Sequence, residues 1–318
     1  MPALDGVEHH FADVRGARLH VAEMGDPAGP PVLLLHGWPQ HWWSWRELMP
    51  LLADRYRLLA MDLRGFGWSE ATPRGYRKNE LAEDVIGVLD ALGIDRVDLV
   101  GHDWGGVVGF LVCLEHPDRV AHFVPMNTGH VWPKLSLNGI PKLLGAIAYQ
   151  GLLASPGLGR RVNASPRIVG KVVDTISAGH DVAAEYAREF APRFADPVRA
   201  RAASQVYRSF LLQEYPRWVR GKYAGRRVRT PILWLHGLKD PFFAPGMFKD
   251  ITEHADDVRI EYLPEGAHFP AEECPQDVAD HLRAFLGCDG AACGARGVPS
   301  PSAGRDSERL LGCPTAFT

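Results

Sequence analysis

Glycine stands two residues before and two residues after Asp103 in the run Gly101-His102-Asp103-Trp104-Gly105-Gly106. This is the small-x-nucleophile-x-small pattern of a tight turn that presents a reactive side chain between a strand and a helix. The residue presented here is an aspartate, where many hydrolases carry serine. A serine must lose a proton before it attacks, and it suits acyl carbons. A carboxylate is already ionised near neutral pH, and the amide dipoles of the following helix are expected to hold it so. It can displace a leaving group from a saturated carbon, and the alkyl ester formed must then be cleaved by water. That second step needs a base. His268, in Gly266-Ala267-His268-Phe269-Pro270, and Asp240, in His236-Gly237-Leu238-Lys239-Asp240, fit as the base and the carboxylate that orients it. The backbone N–H groups of Trp38 and Trp104 are expected to hold the ester oxygen when it becomes an oxyanion, a contribution of about 3 kcal/mol per donor.

These residues need strands to carry them. Val7 to Met24 reads as an antiparallel pair turning near Arg15-Gly16, and further strands are predicted at about 31–35, 57–61, 97–101, 120–125, 231–235 and 258–263. Helices alternate with them, among them one over 79–92 that carries Leu81, Val85, Leu89 and Leu92 on one stripe, with Asn79 as its cap. His36-Gly37-Trp38-Pro39 follows the strand Val32-Leu33-Leu34-Leu35, and Trp38-Pro39 is a candidate cis peptide. Asp240 and His268 each follow a predicted strand, the usual place for catalytic groups in open α/β sheets. His36 and His102 read as supports packed behind the two oxyanion loops.

Together, His36-Gly37-Trp38-Pro39, Asp62-Leu63-Arg64-Gly65-Phe66-Gly67-Trp68-Ser69, the Asp103 turn and the Asp240 and His268 loops resemble the epoxide hydrolases of the α/β-hydrolase fold over about residues 7 to 287. The resemblance implies an α/β fold with a mostly parallel eight-stranded sheet, helices on both faces and an inserted helical lid. The division it suggests is a core in two parts, 1–128 and 225–287, a lid over 129–224 and a tail over 288–318. It implies that an epoxide opens to a vicinal diol through an ester on Asp103, with water and a small apolar epoxide as reactants and no cofactor or metal.

An epoxide leaves as a strongly basic alkoxide, so O–H donors must lie over the ring oxygen. Tyr149-Gln150 and Val206-Tyr207-Arg208 resemble the two lid segments that supply them. On a helix from about 197 to 213, Ala203, Tyr207, Phe210 and Leu211 share a face. Tyr186, Tyr215 and Tyr223 read as packing or surface residues. Trp38, Trp104 and Phe269 are expected to line the substrate pocket, and the tryptophans at 38, 42, 43 and 45 suggest that it tolerates aromatic groups. Haloalkane dehalogenases share these motifs, and Trp104 would serve a halide, yet Trp38 stands where some of them carry asparagine. A low-turnover, ligand-sensing relative is the third reading.

With 318 residues, 46% apolar content and a formal charge of −3, the chain can bury a large core and offers no basic field to nucleic acid. Its apolar runs are strand-length, its N-terminus carries no export signal pattern, and its cysteines have no metal-ligand spacing, so a reduced, cytoplasmic setting is expected. Sixteen of the last 31 residues are Gly, Ala, Pro or Ser, which predicts a disordered tail. Oligomeric state is not legible.

Overall fold

The computed structural model describes residues 1–134, 148–177, 181–243 and 248–286. The expected tail over 288–318 lies outside them. Eight strands form one sheet in the order β1-β2-β4-β3-β5-β6-β7-β8. They are β1 (Val7–Val14), β2 (Ala17–Gly25), β3 (Pro31–Leu35), β4 (Arg57–Met61), β5 (Val97–His102), β6 (Val120–Met126), β7 (Ile232–Gly237) and β8 (Val258–Leu263). The β1–β2 and β2–β4 pairs are antiparallel and the rest parallel.

Parallel strands are covered on both faces, which is why Val32–Leu35 of β3, Leu99-Val100 of β5 and Ile232–Leu235 of β7 are apolar and buried. Leu33, Leu35 and Leu99 point to one layer, with the helix Trp104–Glu115. Val32, Leu34, Val100 and Leu235 point to the other, with the helix Pro275–Leu286. Residues 104 to 114 of the first helix are all buried, as befits an element apolar on every side. Among the described residues no helix is long and apolar enough to cross a membrane.

The helix predicted over 79–92 spans Lys78–Ala91, and Asn79 is not its cap. The Glu80 carboxylate reaches back instead to accept the Arg77 N–H at 3.0 Å. Between β6 and β7 the chain forms helices that include Leu158–Asn163, Pro166–Ile176 and Pro197–Ser209. The helix expected to run to about 213 changes at Ser209 into a π turn, Phe210–Glu214, and a second π turn spans Tyr186–Phe190. Each π turn is followed at its second residue by a proline, Pro192 or Pro216. A proline lacks the N–H that the regular ladder requires and crowds the carbonyl four residues back, so the turn widens there.

Candidate active site

The Asp103 turn begins where β5 ends. Asp103 sits at φ 48° and ψ −117°, a conformation costly for a residue with a side chain and characteristic of over-determined functional turns. Close packing imposes it. A Cβ on Gly101 would lie 2.6 Å from the Gly105 carbonyl oxygen, and one on Gly105 would lie 2.1 Å from that of Leu35. A Cβ on Gly37 would lie 2.3 Å from Oδ2 of Asp103 itself. The Asp103 carbonyl is held by Thr128 Oγ1 at 2.6 Å and by Gly106 N–H at 3.0 Å.

The Trp38 N–H donates to Asp103 Oδ2 at 2.8 Å, and the Trp104 N–H also serves that carboxylate. Burial raises the Asp103 pKa above the ordinary 3.8, and the pull of His268 and of the two N–H donors only partly offsets this. The peptide Trp38-Pro39 is cis, as expected.

Asp240 and His268 come together beyond the ends of β7 and β8. His268 Nδ1 donates to Asp240 Oδ2 at 2.9 Å, and both residues are buried. With the proton assigned to Nδ1 by that partner, Nε2 is left as the basic atom. Burial pulls the His268 pKa down, but the charge and hydrogen bond of Asp240, with Asp103, outweigh it and leave it raised above 6.5. Asp240 Oδ1 accepts the Phe242 N–H at 2.7 Å. His102 donates from Nε2 to the His268 carbonyl at 2.6 Å, and burial lowers its pKa to about 3, so it supports the histidine loop as a neutral ring. His36 does the same beneath the first oxyanion loop, taking the Leu63 N–H at 3.0 Å and donating to the Gly37 carbonyl at 2.8 Å.

Tyr149 and Tyr207 meet over this centre. Their rings lie 6.4 Å apart, both edge-on to Trp38 at 6.0 and 5.9 Å, and Tyr207 is 5.3 Å from the Trp104 ring. The two hydroxyls are buried and interact with each other, and that of Tyr207 also interacts with the Trp104 side chain. Burial, reinforced by the negative charge of Asp103, pushes both phenols well above 10, so both remain protonated donors.

Trp42 and Trp45 are core residues rather than pocket walls, and the Trp43 indole donates to Glu185. Phe269 packs against His268 at 5.0 Å and His102 at 5.7 Å, behind the histidine. Tyr186 and Tyr223 are buried packing residues. Among the described residues no group of three or more His, Cys, Asp or Glu side chains is placed to hold a metal ion.

Two asparagines were not legible as site residues. Asn127, just past β6 with φ 39°, donates from Nδ2 to Asp240 Oδ2 at 2.7 Å and to the Ala267 carbonyl at 2.8 Å, and accepts the Gly237 N–H at 3.0 Å. It ties both triad loops to one strand end, and its place there was the available signal. Asn163 Oδ1 takes the Trp38 indole N–H at 2.7 Å, while its Nδ2 serves the Gly159 carbonyl and Ser204 Oγ.

A family model described as the alpha/beta hydrolase fold matches residues 30–275. The chain belongs to the α/β-hydrolase fold family. Within that family it is 40% identical over 161 residues to epoxide hydrolase 2 of Siraitia grosvenorii, a match that takes in 49% of this chain and 50% of that protein. At that level of identity, therefore, the chain spans about half the length of the curated relative it matches. It is 29% identical over 284 residues to epoxide hydrolase 3 of Xenopus tropicalis, with 85% and 75% covered. Among α/β-hydrolase structures, that of an epoxide hydrolase from Vigna radiata superposes with a TM-score of 0.73 at 26% identity, covering 90% of this chain and 99% of that one.

Proposed function

We propose that this chain is an epoxide hydrolase, and that residues 129–224 act as the lid over its site. One oxygen of the Asp103 carboxylate bonds to an epoxide carbon, the ring C–O bond breaks, and the departing oxygen takes a proton from Tyr149 or Tyr207. His268 Nε2 then removes a proton from water, and the oxygen of that water attacks the ester carbon, Cγ of Asp103. The oxyanion sits between the N–H groups of Trp38 and Trp104 until the ester C–O bond breaks. The proton held by His268 passes to the departing ester oxygen, giving a vicinal diol, and the second proton of the water, left on the new Asp103 carboxyl, restores the tyrosine, so that Asp103 is again a carboxylate. Asp240 keeps the His268 proton on Nδ1 and stabilises the imidazolium.

The observation that carries this reading is the pair of buried tyrosine hydroxyls, interacting with each other and within the field of the Asp103 charge. A phenol held protonated suits an alkoxide leaving group. The epoxide hydrolase names of the relatives point the same way. The Trp104 indole beside Asp103 favours a second reading, halide release, but it interacts with Tyr207, and the Trp38 indole that could join it is engaged by Asn163. Buried, unpaired Cys113 and Cys274 fit a reducing compartment.

Replacing both tyrosines, Tyr149→Phe with Tyr207→Phe, is expected to lower diol formation by at least about a hundredfold while any halide release from a bromoalkane persists. Parallel epoxide and bromoalkane assays read this directly. Diol formation at the parental rate in the double variant would overturn the assignment.

A further inference from the structure

Lys78 is the first residue of the helix Lys78–Ala91, and its side chain is wholly buried. The sheet does not require it there. A lysine taken out of water is expensive, and replacing a buried ion pair with apolar groups of similar volume is often neutral or stabilising. Its contacts are directed at the proposed catalytic centre. The ammonium donates to the Val206 carbonyl, next to Tyr207, and to Ser209 Oγ at 3.3 Å, and pairs with Glu214 Oε2 at 3.2 Å. The other oxygen of Glu214 takes the Lys78 backbone N–H at 2.7 Å, so one carboxylate clamps both ends of the lysine. The cation lies 4.4 Å from the centre of the Trp104 ring and 5.4 Å from that of Phe210. Trp104 follows the nucleophile, and its ring is edge-on to Tyr207.

One side chain thus touches the core helix, the segment that carries the proposed proton donor and the ring beside the proposed nucleophile. Its anionic partner lies in the π turn after the Tyr207 helix, and the Asp103 charge also acts on the ammonium. We propose that Lys78 is a positioning residue for epoxide opening: held by Glu214, its ammonium seats the Tyr207 segment on the core, fixes the Trp104 ring and places positive charge beside the anionic Asp103. This rests on the reading of Asp103 as the nucleophile. Ester hydrolysis is carried by His268 and Asp240, whose neighbours are Phe242, Phe243, Phe269 and His102, and needs no proton from Tyr207, so it is expected to depend on Lys78 much less than opening does.

The charged and titratable groups that act on Lys78 are Glu214 and Asp103, and Asp103 in turn faces His268. Burial lowers the lysine to about 8 although both carboxylates oppose this. It is charged below that value and neutral above it, so opening is expected to slow as pH rises through about 8.

Single-turnover kinetics test this, using whichever of styrene oxide and 1,2-epoxyhexane the parent opens faster. Ester formation on Asp103 and its decay are followed separately by mass spectrometry across pH. Lys78→Met is expected to slow ester formation about ten- to a hundredfold, slow ester decay far less and abolish the alkaline decline of ester formation. Lys78→Met combined with Glu214→Gln, which leaves no unpaired buried carboxylate, should do the same with thermal stability at least that of the parent. Ester formation at the parental rate and pH profile would overturn the proposal for Lys78 alone. So would equal slowing of both steps, which would make the pair a structural one. No ester in the parent with either epoxide would overturn this proposal and the proposed function together.

Discussion

His268 can take a proton from water only while Nε2 is bare, and its raised pKa sets where that fails. As pH falls through the raised value, the imidazolium accumulates and ester hydrolysis slows. Burial raises Asp103 above its ordinary 3.8, and His268 with the N–H donors of Trp38 and Trp104 only partly offsets that rise. Hydrolysis is therefore expected to slow as pH falls through the raised His268 value, and opening to slow where Asp103 takes up a proton. His268→Gln should make the ester persist at every pH, as a mass increase of one substrate on the peptide containing Asp103. Ester decay that is independent of pH, or unaffected by this substitution, would remove His268 from the base role.

The turn that carries Asp103 works because three backbones meet where no side chain fits. Gly105→Ala would press a methyl group against the Leu35 carbonyl at 2.1 Å, and neither backbone can yield without moving Trp38. The expected result is a loss of about 1–3 kcal/mol in stability together with lost activity. Gly151→Ala, where nothing lies within 4 Å, should be harmless, and thermal melting beside a turnover assay distinguishes the two. Local chemistry of this kind was legible in the sequence, since glycine spacing and apolar strand runs are short-range signals. The π turn after Ser209 was not, because an apolar face at helical spacing continues into Phe210 and Leu211 while Pro216 acts from further along. Asn127, Asn163 and Glu214 escaped for another reason. Each makes its contact across more than 100 residues, and only the folded chain brings the partners together.

Buried acids shape the stability of the whole molecule. Burial raises Glu273 from 4.5 to about 8 and Glu272 to about 7, and one oxygen of Glu273 has no hydrogen-bond partner. The folded state therefore holds these protons more firmly than the unfolded chain does. Stability contributed in this way is complete below about 4.5 and is lost as pH rises through about 7 to 8. Burial also raises Asp62, but the hydrogen bond and charge of His20 outweigh it and lower the group to about 2, so its contribution runs the other way and is lost only in strong acid. Glu273→Gln keeps an oxygen to accept the Ala267 N–H but carries no charge. It should flatten the alkaline decline and raise the melting temperature above pH 8 by at least about 2 °C, with little gain at pH 5. An unchanged slope between those pH values would show that Glu273 is not the group responsible. The eight-stranded, mostly parallel sheet and the placing of Asp103, Asp240 and His268 after strands were legible from the chain, whereas this titration was not, since Glu272 and Glu273 look like surface residues until the Pro270–Glu273 turn is folded against Gln40 and Ala267.

Covalent attachment of Asp103 to carbon is tested most directly by one turnover of an epoxide in heavy-oxygen water with enzyme in excess. The expected result is that the Asp103 carboxylate acquires the isotope while the first diol released carries none, because its new oxygen comes from the aspartate. Isotope in that diol with an unlabelled Asp103 would mean that water attacks the epoxide itself, and would contradict the ester mechanism.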